Sequence, residues 1–245
     1  MCVVDIATYR QKQQSLIQLQ QQKFRQTCGT CFQPQSICYC PQIKTFNPHV
    51  KFVILIHPIE HRRRIATGRM SHLCLENSHL FRGHDFTYHK DVNAILNDPS
   101  LFPVILYPGI QSKNLTNMTT EQRADIFPAD KTLTIVVLDG TWATAKKMLR
   151  DSKNLHNLPR ICFTPQTPSN FRVRKQPREG YYSTIEAIHH TIELLGTNFG
   201  FNTEAREHDH LLTVFNSMVE LHLDFIQKSH ERSDPSRYRR HRDIL

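Results

Sequence analysis

Two stretches of this chain hold residue types at spacings that can do chemistry. In the first, four cysteines fall within thirteen residues, as C-x-x-C (Cys28, Cys31) followed by C-x-C (Cys38, Cys40). Four thiolates in one short loop can close a tetrahedral zinc site and leave no open position. Such a metal would be structural, stapling a segment too short for its own core. Free buried thiols or a redox pair are the other uses of this pattern. The second stretch is TLTIVVLDGTWATAKKMLR, Thr132–Arg150. It puts Asp139, Gly140, Thr141 and the only tryptophan, Trp142, where a β-branched apolar run hands over to helical spacing. Open α/β sheets bind ligands beyond the carboxyl ends of their strands. Helix capping by Asp139 or Thr141, with Trp142 in the core, would explain the same residues without chemistry.

Other apolar runs end in the same way. KFVILI (Lys51–Ile56) leads into His57-Pro58-Ile59-Glu60, and PVILY (Pro103–Tyr107) into Pro108-Gly109, where a glycine lets backbone approach a ligand. Residues 61–77 have helical spacing and carry Arg62, Arg63, Arg64, Thr67, Gly68 and Arg69 near their start. The helix dipole disfavours cations there, so either a bound anion or a solvated basic face accounts for them. Residues 165–180 form a basic loop with Arg172, Arg174, Lys175 and Arg178. Ser183-Thr184-Ile185-Glu186 is an S-x-x-E capping box opening a helix that runs to Gly196, and capping alone accounts for Ser183 and Glu186.

The elements that must position these residues alternate strand and helix. Strands are expected at 51–56, 103–107, 132–138 and 161–164, with a further short one at 85–89. Helices are expected at 5–26, 61–77, 91–97, 141–150, 183–196 and 204–229, with a helical turn near 121–126. This is an α/β pattern: a mostly parallel sheet flanked by helices, with a zinc-stapled N-terminal segment. It divides into an N-terminal helix (1–26), a four-cysteine zinc-binding segment (27–45), a catalytic domain (46–200), a helix packed on it (201–230) and a basic tail (231–245). The 245 residues are 39% hydrophobic, enough for a core, and the net charge of +9 favours a polyanionic partner, nucleic acid above all. No apolar run approaches 18 residues, and the first 25 residues turn polar and Gln-rich where a signal peptide would be apolar. A soluble, cytoplasmic protein without membrane contact is expected. The phosphate-binding glycine motifs, the zinc-protease motif and the nucleophile elbow are all missing, which weakens the corresponding enzyme readings.

Taken together, the motifs resemble one family. Asp139-Gly140-Thr141-Trp142 matches the D-x-T-W signature of the DTW domain family. C-x-x-C…C-x-C, H-P-x-E, T-G-R (Thr67–Arg69), Y-P-G (Tyr107–Gly109) and S-T-x-E-A (from Ser183) stand around it in that family's order. The resemblance implies a tRNA-uridine aminocarboxypropyltransferase. It would move the 3-amino-3-carboxypropyl group of S-adenosylmethionine to N3 of a tRNA uridine, giving acp3U and methylthioadenosine. It also implies likeness to the SPOUT methyltransferases, whose sheet carries a knot. On this reading Asp139, Thr141 and Trp142 form the catalytic set. Asp139 takes the N3 proton, holds the amino group or pairs with the sulfonium. Beside a helix N-terminus it should be a weak base. Trp142 stacks on a base or supports the loop. Arg69 grips the methionine carboxylate. Backbone at Tyr107, Pro108, Gly109, Leu138 and Gly140 holds adenosine. His57, Glu60, Thr67, Gly68, Ser183, Thr184 and Glu186 complete the cofactor site. Arg62, Arg63, Arg64, Lys146, Arg172, Arg174, Lys175, Arg178 and the C-terminal arginines hold tRNA phosphates, which position the substrate without choosing the base. A methyltransferase acting on RNA and a non-catalytic zinc-stapled RNA-binding module are the alternatives.

Overall fold

The computed structural model describes residues 6–23, 26–174 and 181–231. They group into two compact units, Met1–Pro41 and Gln42–Leu245. The first contains helix α1 (Ile6–Lys23) and the cysteine segment. Its apolar residues Ile6, Tyr9, Leu16 and Ile17 are exposed, in keeping with a glutamine-rich helix that has little to bury.

The second unit runs β1 (Lys51–Ile56), α2 (Pro58–His61), α3 (Thr67–Cys74), β2 (Ser78–Arg82), α4 (Lys90–Leu96), β3 (Leu101–Leu106), β4 (Lys113–Asn114), α5 (Thr120–Asp125), β5 (Thr132–Asp139), α6 (Trp142–Asp151), β6 (Arg160–Cys162), α7 (Thr184–Leu195) and α8 (Asp209–Glu231). The strands form one all-parallel sheet in the order β2-β1-β5-β3-β6-β4. Strand β5 lies inside it, buried at every position after Thr132, so a near-continuous apolar run suits both of its faces. Register does the positioning. Ile56 of β1 pairs with Asp139, and Leu106 of β3 with Val137, so three strands end at nearly one level. Whatever follows those ends must share one edge.

The expected elements recur with four informative differences. The helix over 61–77 is two helices, α2 and α3, with a break at 62–66. The carbonyls of His61, at the end of α2, and of Arg63, in the break, accept from the Arg69 guanidinium, which replaces helical bonds. The strand expected at 85–89 lies instead at Ser78–Arg82, a half-exposed edge strand whose polar residues hid it. Residues 85–87 form a turn in which the Asp85 carboxylate accepts from Thr87, and Phe86 is a fully buried plug in the cluster of Val53, Leu55 and Met148. Two-residue β4 is too short to leave a pattern. Helix α8 begins at Asp209 rather than 204, because Arg206 adopts a left-handed conformation (φ 58°) that ends a preceding 3-10 turn. Arg206 then pairs with Glu193 and Asp209, and His189 and His208 contact those same carboxylates, which ties α7 to the start of α8.

Phe86 is the only fully buried side chain of its turn. Phe86→Ala is expected to cost about 3–5 kcal/mol of stability, from lost transfer and a residual cavity, measured by urea denaturation.

Candidate active site

The site begins with a buried carboxyl. Asp139, the last residue of β5, is 2% exposed. Its main-chain carbonyl accepts from the His57 N–H (2.8 Å), which locks the end of β5 to the residue after β1. Its Oδ1 accepts from Thr184 Oγ1, the first residue of α7 (2.5 Å). Its Oδ2 has no hydrogen bond of good geometry. That oxygen lies against the first turn of α3: a Cβ on Gly68 would stand 2.5 Å from Oδ2 and 2.6 Å from Cγ. Only a residue without a side chain lets helix and carboxylate approach this closely. Burial and the neighbouring Glu60 push the Asp139 carboxyl up to about 6, and Thr184, Arg174 and the Gly68 backbone only partly oppose them. The depressed value expected beside a helix N-terminus is therefore reversed, because desolvation and a like charge outweigh the dipole here.

Glu60, also 2% exposed, is held by a two-pronged bond from Arg174: Nη1 to Oε1 at 2.7 Å and Nη2 to Oε2 at 3.1 Å. Arg63 approaches Oε2 at 3.6 Å. Such a fork is the strong form of the interaction. The segment that carries Arg174 is pinned in turn. Glu186 accepts from Ser169 Oγ and the Asn170 N–H, both at 2.7 Å, while completing the α7 capping box with Ser183. Phe171 is buried edge-on against Phe215 of α8. The capping glutamate thus does a second job: it fixes the loop that aims Arg174.

A cavity of about 900 Å³ opens over these strand ends. This is the size range of small-molecule sites. Residues Leu106–Pro108 and Val137–Gly140 line it, together with Thr67, Thr184 and Arg174. Aromatic rings line it as well. Trp142 packs against Tyr181 (centroids 4.2 Å) and faces Tyr107 (6.3 Å). Thr141 caps α6 by accepting from the Thr144 N–H (3.1 Å), so the capping explanation holds for Thr141, while Asp139 is free of that duty and Trp142 reaches the cavity.

The predicted site residues sort by this geometry. Thr67, Tyr107, Pro108, Leu138, Asp139, Gly140, Thr141, Trp142, Ser183 and Thr184 line the cavity. His57, Glu60, Gly68 and Glu186 stand behind it and hold those that do; Gly109 takes part in the turn after β3, its carbonyl accepting from the Ser112 N–H. Arg69, expected to grip a carboxylate, is buried with its guanidinium on the His61 and Arg63 carbonyls and is not among the lining residues. Of the residues expected on RNA, Arg62, Arg64 and Lys146 are exposed, and Arg63 leans toward Glu60. Arg172 pairs with Glu220 at the surface, while Arg174 turns inward. Lys175, Arg178 and the C-terminal arginines lie outside the described residues. Sequence reasoning missed Tyr181, Tyr182, Phe163 and Cys162, all of which line the cavity. Two adjacent tyrosines immediately before a capping box were the available signal.

In the first unit the four thiols converge. Cys28 and Cys40 sulfurs are 3.7 Å apart, Cys31 and Cys38 sulfurs 3.6 Å, and all four lie within 4.8 Å of one another. A tetrahedron with Zn–S bonds of about 2.3 Å has edges of about 3.8 Å. The donor set and its spacing fit zinc. Backbone N–H groups of Cys31 and Thr30 draw the Cys28 thiol down to about 6, while burial raises those of Cys38 and Cys40.

An all-parallel α/β sheet with a buried acid at the end of an inner strand, an aromatic-walled cavity and a four-thiol segment earlier in the chain defines a class of ligand-binding α/β protein. The model of the DTW domain matches residues 25–223, and the chain belongs to that family. It is 31% identical over 182 residues to tRNA-uridine aminocarboxypropyltransferase 2 of Drosophila melanogaster, covering 70% of this chain and 67% of the fly protein. It is 27% identical to the protein of that name from Mus musculus, covering 71% of this chain and 58% of the relative. It is 25% identical to tRNA-uridine aminocarboxypropyltransferase A of Arabidopsis thaliana, covering 67% of this chain and 70% of the relative. No solved structure matches the chain. Among the described residues no helix is long and apolar enough to cross a membrane.

The raised Asp139 carboxyl makes a signed prediction. Folding favours its protonated form, so the stability it contributes is full below its ordinary value of 3.8 and is lost as pH rises through about 6. Asp139→Asn removes that loss. It is expected to stabilise the ligand-free protein at about pH 8 by on the order of 3 kcal/mol, with the difference vanishing near pH 4, measured by thermal denaturation across pH.

Proposed function

We propose that this chain transfers the 3-amino-3-carboxypropyl group of S-adenosylmethionine to N3 of a tRNA uridine, giving acp3U and methylthioadenosine. The observation that carries the reading is Asp139: a buried carboxyl poised near neutrality, at the rim where three strand ends and two helix starts meet a cavity large enough for a small-molecule ligand. The names of the relatives, the net charge of +9 and the basic residues Arg62, Arg64 and Lys146 support tRNA as the acceptor. Four cysteines clustered at metal-ligand spacing suit a cytoplasmic setting.

The sulfonium supplies an electrophilic carbon and a good leaving group. A bond forms between uracil N3 and the chain carbon beside sulfur, the carbon–sulfur pair returns to sulfur, and the N3 proton must go to a base. Asp139 is that base. A carboxylate near neutrality takes the proton at physiological pH more effectively than an ordinary one. Thr184 holds one of its oxygens, and the close seat against Gly68 fixes its orientation. Tyr107, Trp142 and Tyr181 offer ring faces on which adenine or the target base can stack. Methyl is the less hindered carbon, so selectivity for the chain rests on aim.

Purified protein, S-adenosylmethionine and tRNA should yield methylthioadenosine and a nucleoside gain equal to the aminocarboxypropyl group. A methyl gain with S-adenosylhomocysteine would instead make the chain a methyltransferase. Asp139→Asn is expected to keep cofactor affinity within a few-fold and lower the transfer rate by about 10²–10⁴. Lost affinity in that variant would move Asp139 from base to cofactor anchor.

Zinc at Cys28, Cys31, Cys38 and Cys40 belongs to the same reading, as a structural ion that supplies folding energy to a segment without a core. Cys38→Ser is expected to remove about one equivalent of zinc by elemental analysis and to make the segment around the thiols sensitive to protease.

A further inference from the structure

We infer that Arg174 grips the α-carboxylate of the transferred aminocarboxypropyl group, and that Glu60 exists to present it. This rests on the function proposed above and names the residue that aims the reacting carbon.

Three observations converge. First, Arg174 lines the cavity with a side chain 20% exposed, whereas Arg172, two residues earlier, is 51% exposed and paired on the outer surface with Glu220. A recessed arginine is badly placed for a phosphate backbone and well placed for a small anion. Second, the fork to Glu60 occupies two of its five N–H donors; among the described residues no side-chain acceptor takes the other three. A guanidinium held along one edge still offers another edge to a second carboxylate. Third, Arg174 is near enough to Asp139 to oppose the rise of its carboxyl. In the transferred group two bonds separate the reacting carbon from the carbon that bears the carboxylate. Fixing that carboxylate beside the base therefore aims the chain, and not the methyl, at the nucleophile.

The site is built to keep Arg174 still. Glu60 holds its fork, the Phe171 ring lies 6.0 Å from its guanidinium carbon, and the Glu186 carboxylate anchors Ser169 and Asn170 just ahead of it. Arg69, the arginine that the T-G-R motif offers for the same task, is engaged in holding the His61 and Arg63 carbonyls. Arg174 alone combines charge, position and donors in the described part of the cavity wall.

The test is a ligand-by-residue cycle, measured by isothermal titration of the full chain with S-adenosylmethionine and with its decarboxylated analogue, which keeps the sulfonium and the amine. The unaltered protein should bind the first roughly a hundredfold more tightly. Arg174→Ala should erase that preference by weakening S-adenosylmethionine alone. Arg174→Lys should restore part of it, since a point charge replaces a fork. Arg174→Ala leaves Glu60 buried without its partner, so the neutral pair Glu60→Gln with Arg174→Gln, checked for an unchanged melting temperature, should show the same loss of preference. Equal weakening of both ligands, or an intact preference together with weakened tRNA binding, would overturn the assignment and return Arg174 to phosphate contact. An unaltered protein that binds neither sulfonium would overturn the function itself, and a protein that transfers the group with no preference for the carboxylate would overturn this inference only.

Discussion

The contact between the Asp139 carboxyl and the first turn of α3 sets the terms for everything around it. A carboxyl 2% exposed and next to a second buried acid is hard to ionise, and the fold tolerates it only because each neighbour is tightly specified. Gly68 must lack a side chain. Thr184 must begin α7 where its hydroxyl reaches Oδ1, and the Ser183–Glu186 capping box is what starts α7 there. Glu60 must keep Arg174, or two anions would share the pocket unpaired. Three sequence motifs that look independent, T-G-R, D-G-T-W and S-T-I-E, are thus the separate parts of one packing problem. They meet because α3, β5 and α7 bring them to one edge.

That coupling explains which parts of the molecule were legible in the sequence. The inner strands were plain, because burial on both faces leaves an unbroken apolar run: Lys51–Ile56 matches residue for residue, and β5 extends the expected run only by Asp139. The Ser183–Glu186 capping box and the strand-end motifs were plain too, because each is a local pattern. Edge strand β2 was not, since a half-exposed strand has no reason to be apolar, and Phe86 imitated a strand residue while serving as a plug. The break between α2 and α3 was hidden because its satisfaction comes from Arg69, a tertiary partner that no local pattern encodes.

The arginines show the limit most clearly. Sequence position suggested Arg69 for a small anion and Arg174 for a phosphate backbone, because one follows a strand-end motif and the other sits in a basic loop. The fold exchanges their circumstances. Arg69 faces the backbone of its own break, while Phe171 and Glu186 draw the loop inward and turn Arg174 toward Glu60. Charge type was readable; direction was not, since direction depends on contacts among α7, α8 and a loop that lies far from Glu60 in sequence. The Asp139 carboxyl makes the same point in electrostatics. Its place beside a helix start was visible and argued for a low value, but Glu60 lies seventy-nine positions away in sequence, and only the β1–β5 register brings it close enough to help reverse the sign.

The function proposed above would set this site a particular chemical problem. When two carbons on one sulfonium compete and the less hindered one must lose, a general increase in reactivity is useless, because it helps both. Discrimination has to come from fixing the far end of the chosen chain relative to the base. That calls for rigidity in a loop, which is usually the most mobile part of a fold. Here residues 169–174 are held by Phe171 in the core, by the Glu186 carboxylate and by the Glu60 fork, all before any ligand arrives. The buried, partly opposed charges at Asp139 and Glu60 are the stability cost of that arrangement, and the apolar inner strands beneath them are what allow the fold to carry it.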